Sequence, residues 1–146
     1  MFKYLKQIKR NWKKAKNRRY RKDNPKTYSV RPQKDTSSLK AHEFEFLIKR
    51  VQIGEGEYFD DFNLKSEADW LGVLTPDSVK WSHVNDPRGF TIKLDKFSYG
   101  IADEFAGLQI AFEGNVTFEE ARNLLLELKS KLEQFSGFEA EIIDFY

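Results

Sequence analysis

The sequence predicts an α+β fold, a two-layer sandwich of one β-sheet and two helices, preceded by a basic segment. Three observations support this prediction. Several short stretches after residue 40 alternate apolar and polar side chains, as half-buried strands do. One long stretch near residue 125 repeats apolar side chains every three or four positions, as an amphipathic helix does. The first 22 residues contain eleven Lys or Arg and no Asp or Glu.

The bulk composition indicates one domain with a hydrophobic core. The chain has 146 residues, 40% of them apolar, including thirteen Phe, which is enough to bury a sizeable core. It has no Cys, so disulfides, zinc–thiolate sites and Cys nucleophiles are excluded. No apolar run approaches the roughly 20 residues that span a bilayer. We therefore expect a cytoplasmic protein with no transmembrane segment. The acid-free start is also similar to a mitochondrial transit peptide, although it has no Ser before Ser29.

The charge is divided unequally along the chain. Residues 1–40 contain 15 basic and 2 acidic side chains, whereas residues 41–146 contain 10 basic and 21 acidic side chains. The net charge of +2 therefore describes neither part. We predict three segments: a basic helical arm over 1–22, a linker over 23–40 that contains two Pro, and an acidic domain over 41–146.

The basic arm has the pattern of an amphipathic helix. Its apolar stripe consists of Phe2, Leu5, Ile8, Trp12 and Ala15, at helical spacing. The rest of its surface is cationic, and like charges four residues apart each destabilise an isolated helix by about 0.2–0.5 kcal/mol. We therefore expect the arm to be a poor helix alone and a better one against an anionic surface.

The acidic domain begins with alternating strands and one short helix. Ser66 and Asp69 form a capping-box-like start for that helix, and Pro76 follows its end. The turn residues of NDPRG predict a hairpin. The elements predicted in this half are a long strand over 42–53, a helix over 66–74, and strands over 79–84, 90–101 and 105–114.

The clearest element is the helix over 117–136. Thr117 and Glu120 make a capping box, and Gly137 is placed as the stop. Its apolar face is predicted to contain Phe118, Ala121, Leu124, Leu125, Leu128, Leu132 and Phe135. A last strand follows over 138–145. The resulting order resembles the ferredoxin-like βαββαβ arrangement with one extra strand near Trp81, and this resemblance of element order implies no function.

The sequence gives little indication of chemistry at a site. GEGEYF follows a strand, but Phe59 replaces the third Gly of a phosphate loop and four carboxylates surround it. The spacing of these carboxylates does not match a Ca²⁺ loop. We expect no metal and no cofactor. His42 and His83 are the only histidines, and an enzyme would have to use His83 with Asp86 and Arg88.

Nucleic-acid binding is predicted from the arm and not from the sheet. Arg88, Gly89 and Phe90 begin like an RRM signature, but Thr91 and the residues after it break the pattern. In the arm, cations interleaved with aromatic rings fit RNA or DNA, because cations displace counterions and rings stack on bases. The predicted nucleic-acid or anionic-surface residues are Lys6, Lys9, Arg10, Trp12, Lys13, Lys14, Lys16, Arg18, Arg19 and Arg21.

We therefore predict a non-catalytic binding protein whose basic arm engages nucleic acid and whose acidic domain contacts a protein partner. The candidate protein-binding residues are Glu55, Glu57, Asp60 and Asp61, with further acidic residues at 102–104 and 139–144. One alternative is an acidic inhibitor or adaptor, such as an immunity protein for a basic toxin. Another is a peripheral protein whose arm lies on an anionic membrane. A third is docking of the arm on its own acidic domain.

Overall fold

The computed structural model describes residues 35–86 and 89–146. The predicted helical arm over 1–22 lies outside these residues, as does the linker up to residue 34. Two short 3₁₀ turns, Thr36–Ser38 and Ala41–Glu43, precede the sheet. The remaining elements are β1 (Glu45–Arg50), α1 (Glu67–Val73), β2 (Ser82–Asp86), β3 (Gly89–Lys93), β4 (Phe97–Glu104), β5 (Gly107–Gly114), α2 (Phe118–Ser136) and β6 (Ala140–Phe145).

The described strands form one antiparallel sheet in the order β2-β3-β4-β5-β1-β6. Strands β5 and β6 both pair antiparallel with β1, which lies between them. Phe46 is opposite Ile110 on one side and Asp144 on the other, which fixes the register at the centre of the sheet. The prediction of an α+β fold with two helices is confirmed for the described residues.

The predicted strand count is wrong by one. We expected a single strand over 90–101, but the chain turns in the middle of that stretch, and β3 and β4 are separate strands. The Leu94 N–H donates to the Phe97 carbonyl at 2.8 Å and closes the turn. Asp95 and Lys96 lie at its exposed tip, where polar residues are favoured. The described sheet therefore has six strands where the sequence predicted five, and the ferredoxin-like order stays a prediction.

Strand β1 is also shorter than the predicted strand over 42–53. Residues 41–43 form a 3₁₀ turn, and pairing ends at Arg50. At the end of β1, the Arg50 N–H donates to the Phe59 carbonyl and the Val51 N–H to the Glu139 carbonyl, both at 2.9 Å. The first bond joins the end of β1 to the loop described below, and the second is in register with the β1–β6 pairs.

Both helices begin where the sequence predicts. The Ser66 side chain accepts from the Asp69 N–H and caps α1. Thr117 and Glu120 form the predicted reciprocal capping box of α2. Helix α2 ends at Gly137, which has φ 75°, a left-handed conformation that a residue without Cβ adopts at little cost.

Both helices pack on the same face of the sheet. The rings of Phe44 and Phe46 contact Phe118 of α2, with centroids 5.4 and 5.3 Å apart. The Tyr99 hydroxyl donates to the Leu74 carbonyl at the end of α1, at 2.8 Å. Burial of this many aromatic and aliphatic side chains is the main contribution to stability, at about 1.5–3 kcal/mol for each large side chain. We call this face of the sheet the helix face, and the opposite one the outer face.

Two details of α2 differ from what its sequence pattern indicates. Glu127 and Lys131 have the spacing of an intrahelical ion pair, but both bind the segment 75–78: Lys131 Nζ lies 2.9 Å from Asp77 Oδ1, and Glu127 accepts from the Ser78 N–H. These bonds hold the segment after α1 against α2. Phe135, predicted on the apolar face, is exposed, whereas the other six residues of that face are buried.

The described end of the predicted linker packs against the domain. Asp35 caps the first 3₁₀ turn by accepting from the Ser37 N–H, and Leu39 is buried in the core on the helix face. The chain therefore joins the core on the helix side of the sheet at Leu39. The predicted segment boundaries themselves stay a prediction.

Candidate functional site

The loop from residue 51 to residue 66 contains the predicted acidic site and folds onto the tip of the β4–β5 hairpin. The Phe59 N–H donates to the carbonyl of Phe105 in that tip, at 3.1 Å. The Phe59 carbonyl accepts from Arg50. The loop is therefore tied both to the end of β1 and to the hairpin, at the same end of the sheet.

Arg50, the last residue of β1, anchors this loop. It is buried, and its guanidinium lies over the ring of Phe138, 3.5 Å from the centroid. Its Nη2 is 2.9 Å from Glu57 Oε2, and its Nη1 donates to the Asp61 carbonyl at 3.4 Å. Glu57 also accepts from the Gly54 N–H, and this bond, followed by the charge of Arg50, holds the pKa of Glu57 below its usual value. One buried cation thus fixes both halves of an acidic loop.

Four carboxylates meet where the loop touches the hairpin. Burial raises the pKa of Asp103 to about 7, and a hydrogen bond with Asp60 and the charges of Asp60, Glu104 and Asp61 add to the effect. Near neutral pH, Asp103 is therefore protonated part of the time, and its hydrogen bond with Asp60 joins the loop to the hairpin. The pair is a pH-sensitive contact between the two segments.

Large apolar side chains are exposed on the same two segments. Tyr58 is 60% exposed and Phe105 is 64% exposed, and Val51 and Ile53 are also exposed. Single apolar side chains are normal on a protein surface, whereas here four lie exposed on two adjoining segments. We call these residues, together with the neighbouring carboxylates, the acidic–aromatic surface: Val51, Ile53, Glu55, Glu57, Tyr58, Asp60, Asp61, Asp103 and Phe105.

The four predicted protein-binding residues have different environments. Glu55 is exposed, while Glu57 is held by Arg50. Asp60 is half-buried against Asp103, and Asp61 accepts from the Asn63 N–H at 3.2 Å. The structure brings all four into one loop but does not test whether they bind a protein. The ten predicted arm residues, from Lys6 to Arg21, lie outside the described residues.

The sequence prediction missed Arg50, Tyr58 and Phe105. Arg50 is the last residue of β1, and the sequence around it gives no local indication that it will be buried over a distant ring. Phe105 lies in a hairpin tip before Gly107, and an aromatic residue in a short polar turn is a detectable sign of an exposed contact residue. Tyr58 gives a similar sign in its own loop, where it directly follows Glu57 and lies two residues before Asp60.

The histidines do not form an evident catalytic group with described residues. His83 Nδ1 lies 3.6 Å from Glu67 Oε1, and the ring packs on Phe90 with centroids 5.4 Å apart. Arg88 and the side chain of Asp86 lie outside the described part, so the enzyme hypothesis stays a prediction. His42 is exposed in a 3₁₀ turn. Within residues 35–86 and 89–146, no group of three or more His, Asp or Glu has the geometry of a metal site.

An open cavity of about 470 Å³ lies at one margin of the outer face. Its lining includes Thr91 and Lys93 of β3, Ser98 of β4 and Glu113 of β5. Opposite charges at its rim and no enclosed apolar floor make it a poor pocket for a small molecule. It is better described as the margin of a sheet surface.

No protein-family model matches this chain, and neither a curated protein nor a solved structure matches it. Among the described residues, no helix has the length and apolar character needed to cross a lipid bilayer.

Proposed function

We propose that this chain is a binding protein without catalytic activity, and that its acidic domain contacts a basic protein partner through the acidic–aromatic surface. The observation that most supports this is the exposure of Tyr58 and Phe105, at 60% and 64%, on segments that also contain Asp60, Asp61 and Asp103. Aromatic side chains supply much of the free energy of binding when a partner covers them. Surrounding carboxylates increase the rate of association with a cationic partner.

The loop is held by contacts within the domain itself. Arg50 holds Glu57 and the Asp61 carbonyl, and the Phe59–Phe105 backbone bond fixes the loop on the hairpin. A surface that is already in its binding conformation loses less conformational entropy on association. A buried cation under an exposed acidic loop therefore favours a recognition surface over a merely solvated turn.

The charge of the domain narrows the class of partner. Residues 41–146 contain 21 acidic and 10 basic side chains, so a strongly basic protein is attracted at long range. This charge favours an inhibitor or adaptor that covers a basic protein. An immunity protein for a basic toxin is one example. We place this activity in the cytoplasm.

The contribution of these charges to binding can be tested in two steps. The tagged full chain is used to capture its partner from the source cells, and the affinity of the captured protein for the chain is then measured by titration. Replacing Glu55→Gln and Asp61→Asn should weaken that complex about tenfold, mainly through slower association. A matched control, Asp95→Asn with Glu119→Gln, removes the same charge from exposed positions elsewhere and should change affinity little. Equal effects of the two pairs would show that net charge, and not this surface, is what matters.

Binding of nucleic acid by the basic arm is a second candidate function, favoured by eleven Lys or Arg in residues 1–22. Neutralising about six phosphates predicts a slope of about −5 when log affinity is plotted against log salt concentration. Replacing Lys13, Lys14 and Arg18 by Gln should reduce the slope by about 3. Preferential binding of vesicles that contain anionic lipid, over single-stranded RNA or DNA, would favour the membrane alternative instead.

For the fold, we propose a ferredoxin-like arrangement extended at one edge. Strands β5 and β6 flank β1 and are joined by α2, which is the connection of a split β-α-β unit. Strands β2 and β3 would then be the additional strands, on the far side of β4. A solved structure with a β-sheet order different from this one would overturn the proposal.

A further inference from the structure

The outer face of the sheet has an unusual composition for a surface that faces water. A solvated face of an antiparallel sheet is expected to be mostly polar. Here, apart from Glu45 and Gln109, its central positions on neighbouring strands are apolar or small: Leu47 of β1, Gly100 and Ala102 of β4, Ala111 of β5, and Ile143 and Phe145 of β6. The small residues make a shallow trough that a helix or another chain can approach closely.

The outer face is also buried where no described helix lies. Gln109, Leu47 and Ala102 are adjacent on β5, β1 and β4, and their exposed fractions are 0%, 3% and 1%. Both helices of the described part pack on the helix face, and Leu47 and Phe145 form a cluster separate from the main core. The two described helices therefore cover the helix face but not the outer face.

Two polar atoms on the outer face lack partners among the described residues. Gln109 donates from Nε2 to Glu45 Oε2 at 2.8 Å, but its Oε1 is buried and accepts no hydrogen bond there. Thr91 Oγ1 is in the same state. Buried polar side-chain atoms are nearly always paired, so we expect both atoms to bind water or a polar group outside the described residues.

The basic arm has the size and polarity to cover this face. A helix of 22 residues is about 33 Å long, and six strands at about 4.8 Å spacing are about 24 Å across. The apolar stripe of the arm, from Phe2 to Ala15, would lie on the trough. Lys and Arg on its two sides would face acidic residues around the trough, which are Glu45, Glu104, Glu113 and Glu141.

The linker is long enough to reach from one face to the other. The described chain joins the core on the helix side, at Leu39. Residues 23–34 can span about 40 Å when extended, and crossing the sheet between layers that pack about 10 Å from it on each side requires about 20 Å. Docking within one chain also needs no second molecule, so the effective concentration of the arm is high.

We propose that residues 1–22 dock as an amphipathic helix on the outer face of the sheet of the same chain, with their apolar stripe on the trough formed by Gly100, Ala102 and Ala111. The carboxylates around the trough then relieve the repulsion between cations that disfavours the helix in isolation. The docked arm holds its cations against the domain, so a polyanion has to displace the arm from the outer face before it can bind them. This docking goes beyond the proposed function and does not require it.

A single spin label on the full chain tests the docking. The chain has no Cys, so Lys93→Cys places one nitroxide at an exposed position of the outer face. Ser130→Cys, exposed on α2, places the matched control on the other side of the sheet. The label at position 93 should broaden the amide signals of residues 1–22 several-fold more than the label at position 130. Equal broadening, or none from position 93, would overturn the proposal.

Two further measurements separate the possible occupants. In a mixture of labelled chains with unlabelled, isotope-enriched chains, broadening of residues 1–22 would show that a second copy supplies the arm and would overturn docking within one chain. The variant Ala111→Arg, added to the labelled chain, should remove most of the broadening, because a long cation then fills the trough. Full broadening in a folded Ala111→Arg chain would also overturn the proposal. No binding partner is present in these spin-label experiments, so their results do not depend on whether the proposed function is correct.

Discussion

Replacing Asp103 by Asn should change how the stability of the domain depends on pH. Burial and the neighbouring Asp60, Glu104 and Asp61 raise the pKa of Asp103 from 3.8 to about 7 in the folded chain. Between these values the folded state holds about one more proton than the unfolded state. The free energy of unfolding therefore falls as the pH rises from about 4 to about 7. Asn is neutral throughout, so this part of the pH dependence should disappear in Asp103→Asn.

The magnitude follows from the shift and from the exposure of the carboxyl group. Three pKa units correspond to about 4 kcal/mol if the whole shift appears as stability. Asp103 is exposed to solvent over more than a third of its surface, and water screens its interactions with Asp60. We therefore expect a loss of about 1–2 kcal/mol in the wild type between pH 4 and pH 7.5. Asp103→Asn should be more stable than the wild type by about that amount above pH 7.

Urea unfolding at five or six values of pH measures this difference directly. Asp95→Asn is the matched control, since Asp95 is exposed in the β3–β4 turn, at the opposite end of β4 from Asp103. The reasoning is refuted if Asp103→Asn and the wild type lose stability in parallel between pH 4 and pH 7.5. It is also refuted if Asp103→Asn is the less stable of the two at pH 8.

Four other substitutions test parts of the fold by urea unfolding. Gly107→Ala should lower the free energy of unfolding by about 2–3 kcal/mol, because φ is 144° and a Cβ would lie 2.8 Å from a backbone oxygen. Gly72→Ala has open space in α1 and should raise the free energy of unfolding by about 0.5–1 kcal/mol. Equal effects of these two substitutions would contradict this reasoning. Thr117→Ala should cost about 1 kcal/mol through loss of the α2 cap, and an unchanged midpoint would count against it. Arg50→Met should cost about 2 kcal/mol and speed hydrogen exchange at the Phe59 amide, and unaltered exchange there would disprove the anchoring role.

The elements that were predicted well are those whose determinants are local. Thr117, Glu120 and Gly137 specify the start and end of α2 within a few residues of themselves, and Ser66 does the same for α1. The break between β3 and β4 was missed because the apolar pattern continues through Leu94, and the turn at Asp95 contains neither Gly nor Pro.

The candidate site was predicted only in part, because its geometry depends on contacts between distant segments. The acidic character of residues 55–61 is visible in the sequence. The raised pKa of Asp103 depends on Asp60, and the burial of Arg50 depends on Phe138; each of these contacts spans more than forty residues of chain. The burial of the outer face could not be predicted either. The alternation of residues along a strand shows which face each side chain lies on, but it does not show whether another segment covers that face.

The most direct test of the proposed function is titration calorimetry of the captured basic partner with the full chain and two variants. Tyr58→Ala with Phe105→Ala removes both exposed rings of the acidic–aromatic surface. Trp81→Ala removes an exposed ring at the start of β2. We expect the double variant to lose about 3 kcal/mol of binding free energy, roughly a hundredfold in affinity, with Trp81→Ala close to the wild type. An affinity of the double variant equal to that of the wild type would contradict the assignment of this surface.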